Sequence, residues 1–283
     1  MPVSRSDDEY PTRRIAQQLT NPKGHAHMPS HTKLEPRVRD GVIHIEISTT
    51  RKGASLDLDR TSAAARALRR SAESGWCEIG AVLITGSGPN FCSGGDVHAF
   101  AAASDPRALV KSMAMEFHHF IELLMNADVP TIAAVQGWAV GAGMSVACAT
   151  DIVVGGPSTK FKPGYPGLAF TPDGGLTWTL PRIVGERRAQ SILLADRTIR
   201  DEEALRLGLL TESVAENDIK DHAERIAVML AAGPRRALRR SKDLLRRSGT
   251  SSLSAHLDAE ATSIADCADS SDGRAAVAAF VDR

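Results

Sequence analysis

The sequence has few aromatic residues, no excess of either charge and no long apolar run. Aromatic side chains make up 4% of its 283 residues, and Lys plus Arg and Asp plus Glu both number 34, for a formal net charge of +0. This balance excludes a global electric field that would recruit nucleic acid or an anionic membrane, so any charge attraction must be local. Glycine, serine or a charged residue interrupts each apolar stretch early, so we expect no transmembrane segment.

The cysteines and the N-terminus carry no sign of secretion or metal binding. The cysteines lack CxxC spacing, and three lie in or beside apolar runs: Cys77, Cys92, Cys148 and Cys267. We therefore expect buried free thiols, no metal site and a reducing compartment, the cytoplasm. Residues 1–36 are polar and lack both apolar periodicity and a signal-peptide core, which predicts a disordered extension.

Apolar runs alternating with helical periodicity predict an α/β fold built on a parallel-type sheet. The predicted strands are Gly41–Ile47, Ala81–Thr85, Thr131–Val135, Asp151–Val154 and Leu210–Val214. The predicted helices are Ser62–Ser74, Asp105–Met125, Val140–Ala149, Glu186–Leu194, Asp201–Leu207, Ile219–Ala232, Pro234–Arg247, Ser252–Ala268 and Gly273–Val281. The pattern divides the chain into an α/β core over residues 37–215 and a helical region over residues 216–283.

Two glycine-bearing segments, residues 86–96 and 137–143, each follow a buried strand. Glycine lets the backbone approach a ligand closely and leaves N–H groups free to donate. Two such donors that converge on one oxygen would form an oxyanion hole. Either segment alone is a common kind of turn, and neither contains Gly-x-Gly-x-x-Gly or a Walker lysine, so nucleotide binding gains no support.

Together these segments resemble the enoyl-CoA hydratase/isomerase (crotonase) family. Five ordered blocks carry the resemblance: residues 81–96, 130–143, 177–185, 202–209 and 272–280. The resemblance runs from about residue 40 to the C-terminus and is closest in pattern to the phenylacetate-pathway isomerase group. It implies a ββα spiral core, a helical C-terminal trimerisation region, and a homotrimer or a dimer of trimers. It also implies an acyl-CoA thioester as substrate, with coenzyme A as part of that substrate and no separate cofactor.

The resemblance also assigns site residues. The backbone N–H groups of Gly95 and Ala142 correspond to the oxyanion hole. The expected substrate-binding residues are Arg51, Ser93, Gly94, Ser145 and Tyr165. Family hydratases position water with two glutamates. The first corresponds to Ser145 and the second to Tyr165 or, one residue earlier, Gly164, and none of these is a carboxylate. A mechanism that adds water between two carboxylates is therefore poorly supported.

One carboxylate, Asp173, lies in a suitable place in the segment Phe170-Thr-Pro-Asp-Gly-Gly175. Relatives with an aspartate here include isomerases that use it to shuttle a proton, so Asp173 is the predicted acid–base residue. Because Asp173 follows a proline and precedes a predicted helix, it is alternatively the N-cap of that helix. For His118 and His119 we expect core or surface positions.

Three functions remain open from the sequence. The first is an isomerase that moves a proton through a thioester enolate, and the second is an acyl-CoA-binding protein without turnover. The third is a hydratase with atypical catalytic residues. The basic segment Pro234–Arg247 is either a solvated helix face or a local positive field for the phosphates of coenzyme A.

Overall fold

The computed structural model describes residues 34–50 and 53–282, and residues 34–283 group as one compact unit. The strands of this part are β1 Arg37–Arg39, β2 Val42–Glu46, β3 Ser48–Thr49, β4 Ser55–Leu56, β5 Ala81–Thr85, β6 Thr131–Ala134, β7 Trp138–Val140, β8 Ile152–Gly155, β9 Lys160–Lys162, β10 Ile199–Arg200 and β11 Glu212–Ser213. The helices are α1 Leu58–Glu73, α2 Val97–Ala102, α3 Pro106–Met125, α4 Ala142–Cys148, α5 Leu176–Val184, α6 Glu186–Leu194, α7 Asp201–Leu207, α8 Ile219–Ala232, α9 Arg235–Arg247, α10 Leu253–Ala268 and α11 Ser271–Val281. Short 3₁₀ turns cover Pro166–Leu168 and Glu216–Asp218.

A six-stranded sheet with the order β1-β2-β5-β6-β8-β11 forms the centre of the fold. All neighbouring pairs except β1–β2 are parallel. A smaller sheet with the order β10-β9-β7 lies beside it, and β3 pairs with β4. The units β6-β7-α4 and β8-β9-α5 each place one strand in the large sheet and one in the small sheet before a helix. This strand–strand–helix repeat is the predicted ββα architecture.

The large sheet is buried on both faces, as its continuous apolar runs predict. Along β5, Val82 and Ile84 point into the main core with α1, α3 and α4, whereas Leu83 points to the opposite face. On that opposite face α8 packs through a stripe of one isoleucine and three alanines at every fourth position: Ile219, Ala223, Ala227 and Ala231. Small side chains bring the helix so close that a Cβ on Gly80 would lie 2.5 Å from the Ala231 Cα.

Helix α9 docks on the fold through cations, not through an apolar stripe. Arg239, Lys242 and Arg246 lie on one face and donate to backbone carbonyls of the core. The acceptors are Gly75 (2.8 Å) and Trp76 for Arg239, Val129 (2.9 Å) for Lys242 and Met125 (3.4 Å) for Arg246. Gly75 follows α1 and Met125 ends α3, so two of these cations meet the negative ends of helices. This face of α9 is therefore docked, and the prediction of a solvated helix is wrong for it.

The predicted elements agree closely with the structure where the pattern is long. The strand Ala81–Thr85 and three of the predicted helices, Glu186–Leu194, Asp201–Leu207 and Ile219–Ala232, are confirmed to the residue. Strands β7 and β9 were not predicted, because three residues beside glycines show no measurable alternation. All four cysteines are free, but Cys77 is exposed in the loop after α1, contrary to the expectation of burial. No helix among the described residues is long and apolar enough to cross a membrane.

Candidate functional site

The two glycine-bearing segments run side by side at the carboxyl ends of β5 and β6. Cys92 forms a parallel bridge with Ala139, and the Val140 N–H donates to the Cys92 carbonyl over 2.8 Å. The Cys92 N–H donates in turn to the Trp138 carbonyl over 3.0 Å. Parallel strands place the segments that follow them at one edge of the sheet, and this ladder then fixes their register.

Glycines allow the closest contact between the two segments. Gly94 and Gly141 have φ angles of +99° and +54°, a region that favours glycine. A Cβ on Gly141 would lie 3.6 Å from the Gly94 Cα, so the two residues are in direct contact. At Gly143 a Cβ would lie 2.5 Å from the Cys92 carbonyl oxygen, which leaves no space for any larger residue. Gly95 directly follows Gly94, and Ala142 directly follows Gly141. Both residues therefore lie next to the point where the two segments touch.

The N–H groups of Gly95 and Ala142 are both available to a ligand. Ala142 is the first residue of α4, with Gly141 as its N-cap, so its N–H has no acceptor inside the helix. Within residues 34–50 and 53–282, neither N–H donates to a protein acceptor. The geometry thus presents two free donors next to each other, which is the arrangement that an oxyanion hole requires.

A carboxylate, that of Asp173, is held near these donors by the hydroxyl group of Tyr165, and the Ser145 hydroxyl holds the Asp173 backbone. The Tyr165 hydroxyl donates to Asp173 Oδ1 over 2.7 Å, and the ring carbon Cζ of Tyr165 would be 3.8 Å from a Cβ on Gly141. Ser145 Oγ lies 3.3 Å from the Tyr165 hydroxyl and donates to the Asp173 carbonyl over 3.0 Å. Burial, together with the Asp173 carboxylate, raises the pKa of Tyr165 far above its ordinary value. Tyr165 therefore stays protonated and remains a hydrogen-bond donor to Asp173.

Asp173 is not a helix cap, so that alternative is wrong. The N-cap of α5 is Gly175, which has a φ of +76° and no side-chain cap hydrogen bond. Two successive glycines in the left-handed region, Gly174 and Gly175, turn the chain between Asp173 and the helix. The carboxylate is thereby directed to Tyr165 and not back to the first turn of α5.

His118 on α3 contacts the same loop, in contrast to the expected core or surface position. Its Nε2 accepts a hydrogen bond of 3.1 Å from the Gly174 N–H. A Cβ on Gly174 would lie 2.4 Å from Phe117 Cε1 and 2.9 Å from the Ser145 Cβ. The Pro-Asp-Gly-Gly segment fits closely against both α3 and α4 for this reason. Sequence reasoning missed His118 because no local pattern links it to a loop 56 residues away.

Two aromatic rings, those of Phe100 and Phe170, lie near Gly95. The Phe100 ring is so close to Gly95 that a Cβ there would be 2.9 Å from Phe100 Cζ. The Phe100 and Phe170 rings pair with centroids 6.0 Å apart and a tilt of 51°. No sequence pattern indicated that Phe100 of α2 would lie next to Gly95.

Two further predicted substrate-binding residues, Arg51 and Ser93, have no described contact with this cluster. Arg51 lies outside the described residues. The Ser93 hydroxyl donates to the Gly53 carbonyl over 2.8 Å, and its N–H donates to the Ala54 carbonyl over 2.8 Å. Ser93 thus ties its segment to the loop between β3 and β4. Among the residues that the structure describes, no group of three or more histidine, cysteine or acidic residues is arranged to hold a metal ion.

Comparisons with known proteins show the family to which the chain belongs. The family model described as Enoyl-CoA hydratase/isomerase matches residues 37–283. A probable enoyl-CoA hydratase of Rhodobacter capsulatus is 35% identical over 73% of this chain and 79% of its own length. The 1,2-epoxyphenylacetyl-CoA isomerase of Escherichia coli is 32% identical over 72% of this chain and 78% of its own length.

A solved structure shows the same fold. The crystal structure of a protein from Mycobacterium abscessus, titled as an enoyl-CoA hydratase/isomerase, superposes with a TM-score of 0.80 at 32% identity. The superposition covers 86% of this chain and 94% of that one. The predicted α/β fold of crotonase type, with its helical C-terminal region, is therefore confirmed. The chain belongs to the enoyl-CoA hydratase/isomerase family.

Proposed function

We propose that this chain is an acyl-CoA isomerase that moves a proton through a thioester enolate. The observation that carries the proposal is the Asp173 carboxylate, held at 2.7 Å by the Tyr165 hydroxyl beside the two free N–H groups. The relative named 1,2-epoxyphenylacetyl-CoA isomerase supports isomerisation as the reaction class. A single carboxylate next to an oxyanion hole is sufficient for this chemistry, because the proton that is removed is also the proton that is returned.

In the proposed reaction the thioester carbonyl oxygen accepts hydrogen bonds from the N–H groups of Gly95 and Ala142. These donors stabilise the negative charge that develops on the oxygen, which makes the α-hydrogen acidic. Asp173 takes the α-proton of a 3-enoyl thioester and returns it to the γ-carbon of the dienolate. The carbon–carbon double bond thereby moves into conjugation with the thioester, with no net gain or loss of protons.

Hydration is the second candidate, because several relatives are named enoyl-CoA hydratases. The positions that correspond to the two hydratase glutamates hold Ser145 and Tyr165, whose hydroxyl groups contact each other at 3.3 Å. Neither hydroxyl is a carboxylate base, and Tyr165 is kept protonated by burial. Asp173 alone would have to activate the water and deliver its proton, so isomerisation is the better supported reaction.

The third candidate is an acyl-CoA-binding protein that has lost turnover. Such a protein would need the oxyanion-hole N–H groups but no oriented acid or base. The hydrogen bonds of Tyr165 and Ser145 to Asp173 argue against it, because they orient a carboxylate in the site.

Self-association is part of the proposal, as a homotrimer or a dimer of trimers. Apolar side chains of the C-terminal helices face outward in the single chain, and Leu253, Ile264 and Phe280 are each more than 70% exposed. An exposed apolar face of this kind is typical of an interface between subunits. Sedimentation equilibrium of the full chain tests it, and a monomer at all concentrations would exclude it. The cytoplasmic location predicted from the cysteine pattern stays a prediction.

The test of the reaction follows the ultraviolet absorbance of the conjugated thioester with a 3-enoyl-CoA as substrate. We expect the wild-type chain to raise this absorbance and Asp173→Asn to lower kcat by about 10³-fold, within the usual range for an acid–base residue. The matched control is Asp105→Asn, which changes the N-cap of α3 and keeps a capping side chain. Acyl-CoA binding, measured by calorimetry, should persist in both variants.

Each alternative gives a different result. Water addition to a 2-enoyl-CoA without 3-enoyl isomerisation would establish the hydratase. Acyl-CoA binding without a product from either substrate would establish the protein without turnover.

A further inference from the structure

The peptide group between Asp173 and Gly174 is hydrogen-bonded at both its carbonyl and its N–H. The carbonyl of this peptide belongs to Asp173 and accepts from Ser145 Oγ over 3.0 Å. Its N–H belongs to Gly174 and donates to His118 Nε2 over 3.1 Å. α4 and α3 thus hold the same peptide plane from two sides. The Asp173 side chain leaves the backbone at this plane, so its direction depends on both contacts.

The contact with His118 imposes a protonation state on the imidazole. Nε2 can accept a hydrogen bond only when it carries no proton, so the ring must be neutral with its proton on Nδ1. Protonation of the ring converts Nε2 into a donor that faces the N–H donor of Gly174. Two donors cannot share a hydrogen bond, and the tight packing of Gly174 against Phe117 leaves the loop little space to adjust. The neutral ring with its proton on Nδ1 is therefore the form that holds this side of the peptide.

We propose that His118 is a positioning residue for Asp173, and that its neutral Nδ1–H form holds the carboxylate in the orientation required for proton transfer. The proposal rests on the proposed function, because it assigns a role to His118 in the same site. His118 is not assigned a contact with the substrate. It acts through the Gly174 N–H, as Ser145 acts through the Asp173 carbonyl.

The charged and titratable groups around this contact are few. Asp173 and Tyr165 lie on the loop side, and Glu122 is one turn further along α3. From α1, the guanidinium of Arg69 contacts His119. Neighbouring helix positions point in different directions, so His119 offers a matched control that keeps the same helix and the same residue type.

The experiment compares the full-length wild-type chain with His118→Gln, His118→Leu and His119→Gln. Initial rates with a 3-enoyl-CoA are measured at neutral pH, and kcat and KM are determined separately. We expect His118→Leu to lower kcat by roughly 100-fold, the effect of a misplaced catalytic group, with KM little changed. His118→Gln should retain most of kcat, because its side-chain oxygen can accept from the Gly174 N–H. His119→Gln should match the wild type.

Rescue by glutamine separates positioning from a simple loss of structure. A general loss of structure would lower kcat in both His118 variants, whereas a lost acceptor for the Gly174 N–H should lower kcat in His118→Leu and be restored by the amide oxygen in His118→Gln. An unchanged kcat in His118→Leu, or a His118→Gln variant as slow as His118→Leu, would overturn the proposal.

Nuclear magnetic resonance keeps the inference testable if no isomerisation is found. In ¹⁵N-labelled protein the His118 ring should carry its proton on Nδ1 at neutral pH. The ¹³C signal of the Asp173 carboxylate should move in His118→Leu and stay close to its wild-type position in His118→Gln. A proton on Nε2, or a carboxylate signal indifferent to His118, would contradict the inference whatever the reaction. The expected signals without turnover would contradict the proposed function alone.

Discussion

The site around α4 and the docking face of α9 are both built on backbone polar groups, but they treat those groups in opposite ways. At the site, glycines bring two segments together, and the N–H groups of Gly95 and Ala142 have no acceptor among the residues that the structure describes. At α9, long cationic side chains bind carbonyls at the ends of α1 and α3. Free donors are useful only to a ligand, whereas bound acceptors stabilise the fold. The comparison separates the part of the chain built for chemistry from the part built for support.

The buried contact of α9 gives the largest expected effect on stability. Lys242 is almost fully buried, and its Nζ donates to Asp151 Oδ2 over 2.6 Å and to the Val129 carbonyl over 2.9 Å. Lys242→Met leaves Asp151 without its cation, and we expect the free energy of unfolding to fall by about 3 kcal/mol, the low end for a broken buried pair because Asp151 is partly exposed. Urea denaturation measures it.

The control for this variant is on the same helix. Arg247 is exposed and pairs with Asp243 one turn back. Arg247→Met should change the free energy of unfolding by less than about 0.5 kcal/mol, as for other surface pairs. If Lys242→Met and Arg247→Met lower the free energy of unfolding equally, the burial of Lys242 does not make its ion pair more important than that of Arg247.

The burial of Lys242 also leads us to expect that the free energy of unfolding depends on pH. Burial lowers the pKa of Lys242 below its ordinary value of 10.5, and the attraction of Asp151 only partly offsets this. Just below pH 10.5 the unfolded chain therefore binds more protons than the folded chain at this residue. The free energy of unfolding of the wild type should rise relative to Lys242→Met as pH increases through this window. An unchanged or falling difference would contradict the assignment.

Glycine packing at the site gives the second largest expected effect on the free energy of unfolding. A Cβ on Gly143 would lie 2.5 Å from the Cys92 carbonyl oxygen, a backbone atom that cannot move without disturbing the bridge to Ala139. We expect Gly143→Ala to lower the free energy of unfolding by about 2 kcal/mol and to reduce isomerisation. Gly249→Ala is the control in the C-terminal region, because a Cβ there would meet nothing within 4 Å. A harmless Gly143→Ala would show that the two segments tolerate separation.

The smallest expected effect concerns the hydroxyl that holds the carboxylate. Tyr165→Phe keeps the ring and removes the donor to Asp173 Oδ1. We expect kcat to fall by about tenfold, because a hydrogen bond to a charged group is worth about 1.5 kcal/mol. Acyl-CoA binding should be retained, since the oxyanion-hole N–H groups are untouched. An unchanged kcat would mean that Ser145 and the backbone alone orient the carboxylate.

Sequence patterns predicted the two regions unequally. Helices such as Ile219–Ala232 were predicted to the residue because their apolar period runs over several turns. The resemblance named Gly95, Ala142, Tyr165 and Asp173, four residues that the structure brings to one place. Local patterns say nothing about contacts between distant segments, and for that reason His118 was missed.

The docking of α9 was missed for the same physical reason. A run of arginines has the same appearance in the sequence whether it faces water or backbone carbonyls. Only the folded chain shows that Arg239 meets the carbonyls of Gly75 and Trp76, more than 160 residues earlier. The short strand β7 was not predicted, because three residues are too few to show a hydrophobic period.

The attachment of α9 has a consequence for the order of events during synthesis. Its acceptors on α1 and α3 leave the ribosome well over a hundred residues before the arginines that bind them. Contacts across long stretches of chain form late, because the entropy of closing a long loop must be overcome first. We therefore expect the glycine-packed core to form while those carbonyls are still hydrated. Docking of α9 then replaces water at the ends of both helices with cationic side chains, as a late step of folding.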